Sequence, residues 1–281
     1  KLAPLYHDLG VDANFRRLIG DVVRSVDLHP YPWGIRLDRE RIFKEAADRN
    51  LINIFFCIYN QFLESTGKRR WGCKSTFMLL HVESVLKYYP SARFIYLARD
   101  GRDVAASAKK TIFNRYSVYY TARLWSHEQR ICIRWLNELP RENIMLIRYE
   151  DLIREPEGSI RAVCLFIKED YNPAMLDFFK TEEAGKSSSI SDAWRNTGSP
   201  IIRDNLMKYR GELTEAEIDL FEAIAGRELG LLSYALKNPQ YAKEGGAGFR
   251  LRYLIEEWLL MLKVQLKYLF IDRNNFLRFR K

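Results

Sequence analysis

The segment Arg93 to Ser107, RFIYLARDGRDVAAS, constrains the fold of this chain more than any other. An apolar run, Phe94 to Ala98, stops at the charged cluster Arg99-Asp100-Gly101-Arg102-Asp103 and gives way to the small residues Val104 to Ser107. A β-forming run, a Gly-containing polar turn and a helix-forming segment in that order predict a strand that runs through a turn into a helix. At the carboxyl end of a strand in an open α/β sheet, unpaired N–H groups and the positive end of a helix dipole attract anions. Arg99 adds a planar donor there, and Ser107, about two turns into the helix, offers a hydroxyl on the same side.

The flanking sequence repeats the same rhythm. Apolar spacing predicts helices over Asn14–Val26, Asp38–Ser65 and Phe77–Tyr88, with Asp12 or Asn14 capping the first, Asp38 capping the second and Gly67 ending it. Further helices are expected over Val104–Ile112, Tyr119–Leu139, Glu157–Ile167 and Thr214–Leu229. Ile144 to Arg148 forms a second strand that also ends in an arginine-led polar cluster, Tyr149-Glu150-Asp151. Strands separated by helices imply a parallel sheet with helices on its faces, an α/β fold. Thr181–Pro200 is polar and rich in Gly and Ser and reads as a long loop, and Lys237–Gly248 as a flexible linker.

The 281 residues, 47% of them hydrophobic, suffice for one large domain, expected over residues 1–236. A formal net charge of +9 calls for an anionic partner: nucleotide, polyanionic glycan, nucleic acid or membrane surface. Five of those charges belong to residues 249–281, where eight Lys and Arg face three Asp and Glu within a dense apolar pattern. Such a segment reads as a basic amphipathic helix, able to pack on protein or to lie peripherally in a membrane interface. The four cysteines have neither zinc-site nor redox-pair spacing and read as buried free thiols. With no leader sequence and no long uninterrupted apolar run in these residues, a cytoplasmic protein is expected, able to associate with a membrane through residues 249–281.

Three strings in sequence order, WGCKS (71–75), RDGRDVAAS (99–107) and RYEDLIREP (148–156), resemble the core of the sulfotransferases that use 3′-phosphoadenosine 5′-phosphosulfate (PAPS). The branch they resemble is the bacterial type related to carbohydrate and tyrosylprotein sulfotransferases, and the resemblance covers roughly Trp71 to Tyr234. It implies a P-loop-like sulfotransferase fold and transfer of a sulfuryl group from PAPS to a hydroxyl of a glycan, lipid or small-molecule acceptor. It implies neither a metal nor a nucleic-acid partner, and it leaves the oligomeric state open.

By the same resemblance Arg99 and Ser107 clamp the 3′-phosphate, Tyr149 lies near the nucleotide, and Lys74 stabilises charge developing on the sulfuryl oxygens. Lys208, Tyr209 and Arg210 form a cofactor lid, in which Tyr209 either stacks on adenine or packs. Asp100, Arg102 and Asp103 hold the turn together, and Glu150 and Asp151 cap the turn after the second strand. One of Ser187, Ser188, Ser189 and Ser191 is expected near the sulfate, and Trp194-Arg195 near the adenine. The family's N-terminal strand, its Gly-rich 5′-phosphosulfate loop and the carboxylate base beyond that loop have no counterpart upstream of Arg93. His7, Asp8 and His29 are the nearest substitutes for the base. The competing reading is a non-catalytic nucleotide- or membrane-binding protein built on the same fold.

Overall fold

The computed structural model describes residues 3–29, 33–110, 117–190 and 192–242. These residues fall into two compact units that part between Pro90 and Ser91, where the sequence suggested one domain as far as residue 236. Each unit has its own buried cluster.

The first unit is helical: α1 (Asp12–Asp27), α2 (Arg39–Glu45), α3 (Leu51–Thr66) and α4 (Val82–Tyr88). The expected continuous helix from Asp38 to Ser65 is broken between α2 and α3. Ala46 is extended, and the Asn50 side chain accepts the N–H of Asn53 at 2.9 Å, so Asn50 caps a new helix rather than continuing the old one. Asp48, in the break, pairs with Lys87 at 2.8 Å. Asp38 does cap α2, accepting the N–H of Arg41 at 2.9 Å, and Gly67 ends α3 in the left-handed conformation, φ 63°. Neither Asp12 nor Asn14 caps α1; Asp12 instead pairs with Arg49 at 2.6 Å. The core joins Phe15, Leu18 and Ile19 of α1 to Ile42 and to Ile54, Cys57 and Ile58 of α3.

The second unit opens with β1 (Phe94–Ala98), which continues through the charged turn into α5 (Gly101–Lys110) and α6 (Val118–Glu138). The strand β2 (Ile144–Arg148) lies parallel to β1, Phe94 opposite Ile144 and Ala98 opposite Arg148, so both strands end at one edge. Beyond β2 the chain forms α7 (Tyr149–Arg154), α8 (Pro156–Ile167), α9 (Glu182–Ile190) and α10 (Glu215–Leu231). Thr214 and Glu217 start α10 with a reciprocal capping box. The core packs Ala98, Ala105 and Ala106 against Ala122 and Trp125 of α6 and Phe221, Ala225 and Leu229 of α10. The architecture is α/β, a parallel sheet of two strands among the described residues, flanked by helices.

Two readings of irregular chain need correction. The stretch Thr181–Pro200 contains α9 and a 3₁₀ segment, Asp192–Gly198. Its serines do not oppose the helix, because Ser188 and Ser189 return their hydroxyls to the carbonyls of Gly185 and Lys186 at 2.9 and 2.7 Å. The expected linker is docked over its first part: the backbone N–H groups of Lys237 and Asn238 both donate to the Glu222 carboxylate, and Pro239–Ala242 forms a 3₁₀ turn. Residues 243–281, with the rest of that linker and the basic amphipathic segment, lie outside the described residues. No helix among the described residues is long and apolar enough to cross a membrane.

Gly101 makes the joint between the turn and the core possible. A Cβ at this position would stand 2.5 Å from the Phe221 ring and 2.6 Å from that of Trp125, both of which are buried. Gly101→Ala is therefore expected to destabilise the fold by about 1–3 kcal/mol through overpacking. Urea denaturation would show this as a lower midpoint at unchanged slope.

Candidate functional site

The turn after β1 is built on buried charge. Arg102 gives two hydrogen bonds to Asp100, at 3.0 and 2.7 Å, and one to Glu222 at 2.5 Å, and its guanidinium lies 4.3 Å from the centre of the Tyr209 ring. Glu150, just after β2, accepts the N–H of Asp100 at 2.9 Å with one oxygen and the hydroxyl of Tyr234 at 2.9 Å with the other. The Asp103 carboxylate receives the N–H of Tyr209 at 2.9 Å. The indole N–H of Trp125 donates to the carbonyl of Arg99 at 3.2 Å. Each of these bonds fixes backbone or a neighbouring side chain, and together they leave the Arg99 side chain as the group the turn presents.

Arg99 is only partly committed. One terminal nitrogen donates to the carbonyl of Asn205 at 3.2 Å and to the Asn205 side-chain oxygen at 3.5 Å, both neutral acceptors. Its nearest carboxylate oxygen, on Asp103, is 3.9 Å away, and its Nε is buried with no hydrogen-bond partner. The guanidinium lies over the Tyr149 ring at 4.5 Å, and the Tyr149 hydroxyl accepts from Asn205 Nδ2 at 2.7 Å. Arg99, Tyr149 and Asn205 thus form one polar group at the joined carboxyl ends of the strands. Tyr149 and Asn205 also line a cavity of about 300 Å³, whose walls are otherwise mostly apolar, with Leu152, Ile153, Met175 and Ile201 among them.

The other expected residues are distributed over both units. Ser107 is exposed on α5, and Lys208 and Arg210 are exposed on either side of Tyr209. Of the two roles expected of Tyr209, packing is the one observed: it is only 6% exposed, and its ring belongs to the core and faces Arg102. Glu150, expected to cap the turn after the second strand, is a buried tie between the turn after β1 and Tyr234. Lys74 lies exposed in the first unit, whereas Arg99, Ser107, Tyr149 and Lys208 belong to the second. Its neighbour Trp71 is anchored to α3, donating to Asn60 at 3.1 Å. His7, Asp8 and His29 are also in the first unit, and the Asp8 carboxylate is occupied by the N–H of Gly10. Ser187, Ser188 and Ser189 are on α9, while Ser191 lies outside the described residues. Among the described residues no group of three His, Cys, Asp or Glu is arranged to hold a metal ion.

The sulfotransferase family model matches residues 29–173, just over half of the chain and including WGCKS, RDGRD and RYEDL. The chain belongs to the sulfotransferase family. Among its relatives are the protein-tyrosine sulfotransferase of Drosophila melanogaster, 23% identical over 64% of this chain and 37% of that protein. Protein-tyrosine sulfotransferase A of Caenorhabditis elegans is 24% identical over 60% of this chain and 47% of that protein. The matched part of the chain therefore spans less than half the length of these relatives. Among solved structures, the sulfotransferase domain from the curacin biosynthetic pathway superposes with a TM-score of 0.53 at 18% identity, covering 79% of each chain, and shares the fold.

The sequence did not reveal Asn205, Glu222 or Tyr234. Asn205 and Glu222 reach the turn from 106 and 120 residues away, and Tyr234 bonds Glu150 across 84 residues, through contacts that no local pattern encodes. Asp103 also gives the site a pH signature, because burial raises its carboxyl above the ordinary aspartate value, against the opposing bond from Tyr209. A raised folded-state value means that the folded chain holds this proton where the unfolded chain has released it. The contribution is complete below the ordinary aspartate range and is lost as pH rises through and above it. Wild type should therefore lose stability relative to Asp103→Asn as pH rises from that range, in paired denaturation series. A pH-independent difference would contradict the assignment.

Proposed function

We propose that this sulfotransferase takes its sulfuryl group from PAPS and passes it to a hydroxyl of a glycan, lipid or small-molecule acceptor. The observation that carries the reading is Arg99, a guanidinium held at the carboxyl ends of two parallel strands, hydrogen-bonded only to the neutral oxygens of Asn205, 3.9 Å from the Asp103 carboxylate and with a buried Nε left without a partner. A planar fork of donors suits a phosphate dianion better than it suits the amide oxygens it now meets. The adjoining cavity, apolar with a few polar groups at its rim, has the character of a small-molecule site and can take a nucleoside.

PAPS supplies a sulfuryl group activated on a phosphosulfate. In this reading Arg99 and Ser107 bind the 3′-phosphate, and Tyr149 holds the guanidinium from below. Lys208 and Arg210 add positive charge beside the nucleotide. Lys74 stabilises negative charge on the sulfuryl oxygens as they leave the donor phosphate. The names of the relatives, which include a 3-alpha-hydroxysteroid sulfotransferase of Cavia porcellus as well as the protein-tyrosine enzymes, do not single out one acceptor.

Calorimetric titration with adenosine 3′,5′-bisphosphate and with adenosine 5′-monophosphate tests the donor. The bisphosphate is expected to bind more tightly, and Arg99→Ala to weaken it by roughly 1.5–3 kcal/mol, the worth of a charge-assisted bond, while barely affecting the monophosphate. Equal affinities for the two nucleotides would contradict the reading.

A further inference from the structure

The contact between Asn205 and Arg99 has a chemical consequence of its own. Asn205 turns oxygens, not N–H groups, toward the guanidinium: its carbonyl at 3.2 Å and its Oδ1 at 3.5 Å. Those oxygens and the oxygens of an anion need the same donors, so they cannot share them at full strength. The Asn205 side chain is in turn tethered, its Nδ2 donating to the Tyr149 hydroxyl at 2.7 Å. Four residues further on, the chain is pinned again, where the N–H of Tyr209 donates to Asp103. Between these ties Met207 has the left-handed backbone, φ 52°, unusual for a side chain of its kind. Ser199, Pro200, Ile201, Ile202 and Asn205 also form one wall of the cavity beside Tyr149.

We infer that Asn205 is a latch on the anion site: it occupies one terminal nitrogen of Arg99 from within the fold and holds the strap of residues 199–207 along the cavity, and a phosphate that takes that nitrogen must displace it. The inference rests on the proposed donor reading for the identity of the anion. The exchange runs in the ligand's favour, because a charged acceptor makes a stronger bond to a guanidinium than an amide oxygen does. A neutral hydroxyl in the same place would gain nothing over Asn205. The latch therefore subtracts from the affinity of a 3′-phosphorylated nucleotide and leaves that of a nucleotide without this phosphate nearly unchanged.

The test uses the full chain and two variants. Asn205→Ala removes the tether and one acceptor. Tyr149→Phe removes the other end of the tether and keeps the ring beneath Arg99. Each is expected to tighten binding of adenosine 3′,5′-bisphosphate about three- to tenfold, the worth of one neutral hydrogen bond, with less than about a twofold change for adenosine 5′-monophosphate. The double variant should gain little beyond either single, since both cut the same tether. Weaker or unchanged binding of the bisphosphate to both single variants would overturn the latch and make Asn205 a ligand or a bystander. If wild type binds neither nucleotide, the donor reading fails, and amide exchange in the nucleotide-free protein decides the latch separately. Asn205→Ala must then speed exchange across residues 201–208, and unchanged protection there would overturn it.

Discussion

Arg102 is the residue on which the site depends. Its guanidinium is 2% exposed, and burial alone would favour losing its proton; Asp100 and Glu222, at 2.7 and 2.5 Å, more than offset that and keep it charged. A buried ion pair is weak evidence for stability, because desolvation consumes much of the attraction, yet removing one partner strands the other at a cost of about 3–5 kcal/mol. The contribution of this cluster is positional. Asp100 is fixed to Arg102 by its side chain and to Glu150 by its N–H, so the backbone of the turn is held from both sides. Glu222, fully buried on α10, also receives the two N–H groups that dock Lys237 and Asn238. One carboxylate thereby joins the turn, α10 and the segment that follows that helix.

Given that scaffold, the character of Arg99 is a direct result. The network uses the polar groups of Asp100 and Arg102 and one oxygen of Asp103 internally, while Arg99, four residues before Asp103, gets only a 3.9 Å approach to the other oxygen, which has no hydrogen-bond partner. Tyr149 supports it with a ring face, and Asn205 meets it with neutral oxygens. A cation so placed, beside an apolar cavity and at the joined ends of parallel strands, has the general form of an anion-recognition point in an α/β sheet. Family membership and the shared fold give that point its chemical context, and the proposed transfer residue Lys74 stands in the other compact unit.

What the sequence showed and what it hid divide along physical lines. The strands Ile144–Arg148 and Phe94–Ala98 are legible in the sequence, because a short apolar run ended by a charged turn is a local signal. The structural role of Asp100, Arg102 and Asp103 was also legible, from the motif they share with the family. The helix over Thr181–Pro200 was not, since its serines read as loop formers until their hydroxyls are seen bonded to the preceding turn. Nor was the choice between the two roles of Tyr209: the family resemblance allows its ring either to stack on adenine or to pack, and only the contact with Arg102, 107 positions earlier, shows that it packs. Asn205 carried no signal, for an asparagine between an aspartate and a leucine is an ordinary loop residue until the fold brings it to Arg99.

In the proposed function the turn after β1 presents Arg99 to the 3′-phosphate of a nucleotide. A crystal structure of the protein with adenosine 3′,5′-bisphosphate tests it most directly. The account predicts phosphate oxygens about 2.7–2.9 Å from the terminal nitrogens of Arg99, with the Asn205 carbonyl displaced and Arg102 still bonded to Asp100 and Glu222. A nucleotide bound elsewhere, with Arg99 still held by Asn205, would contradict it.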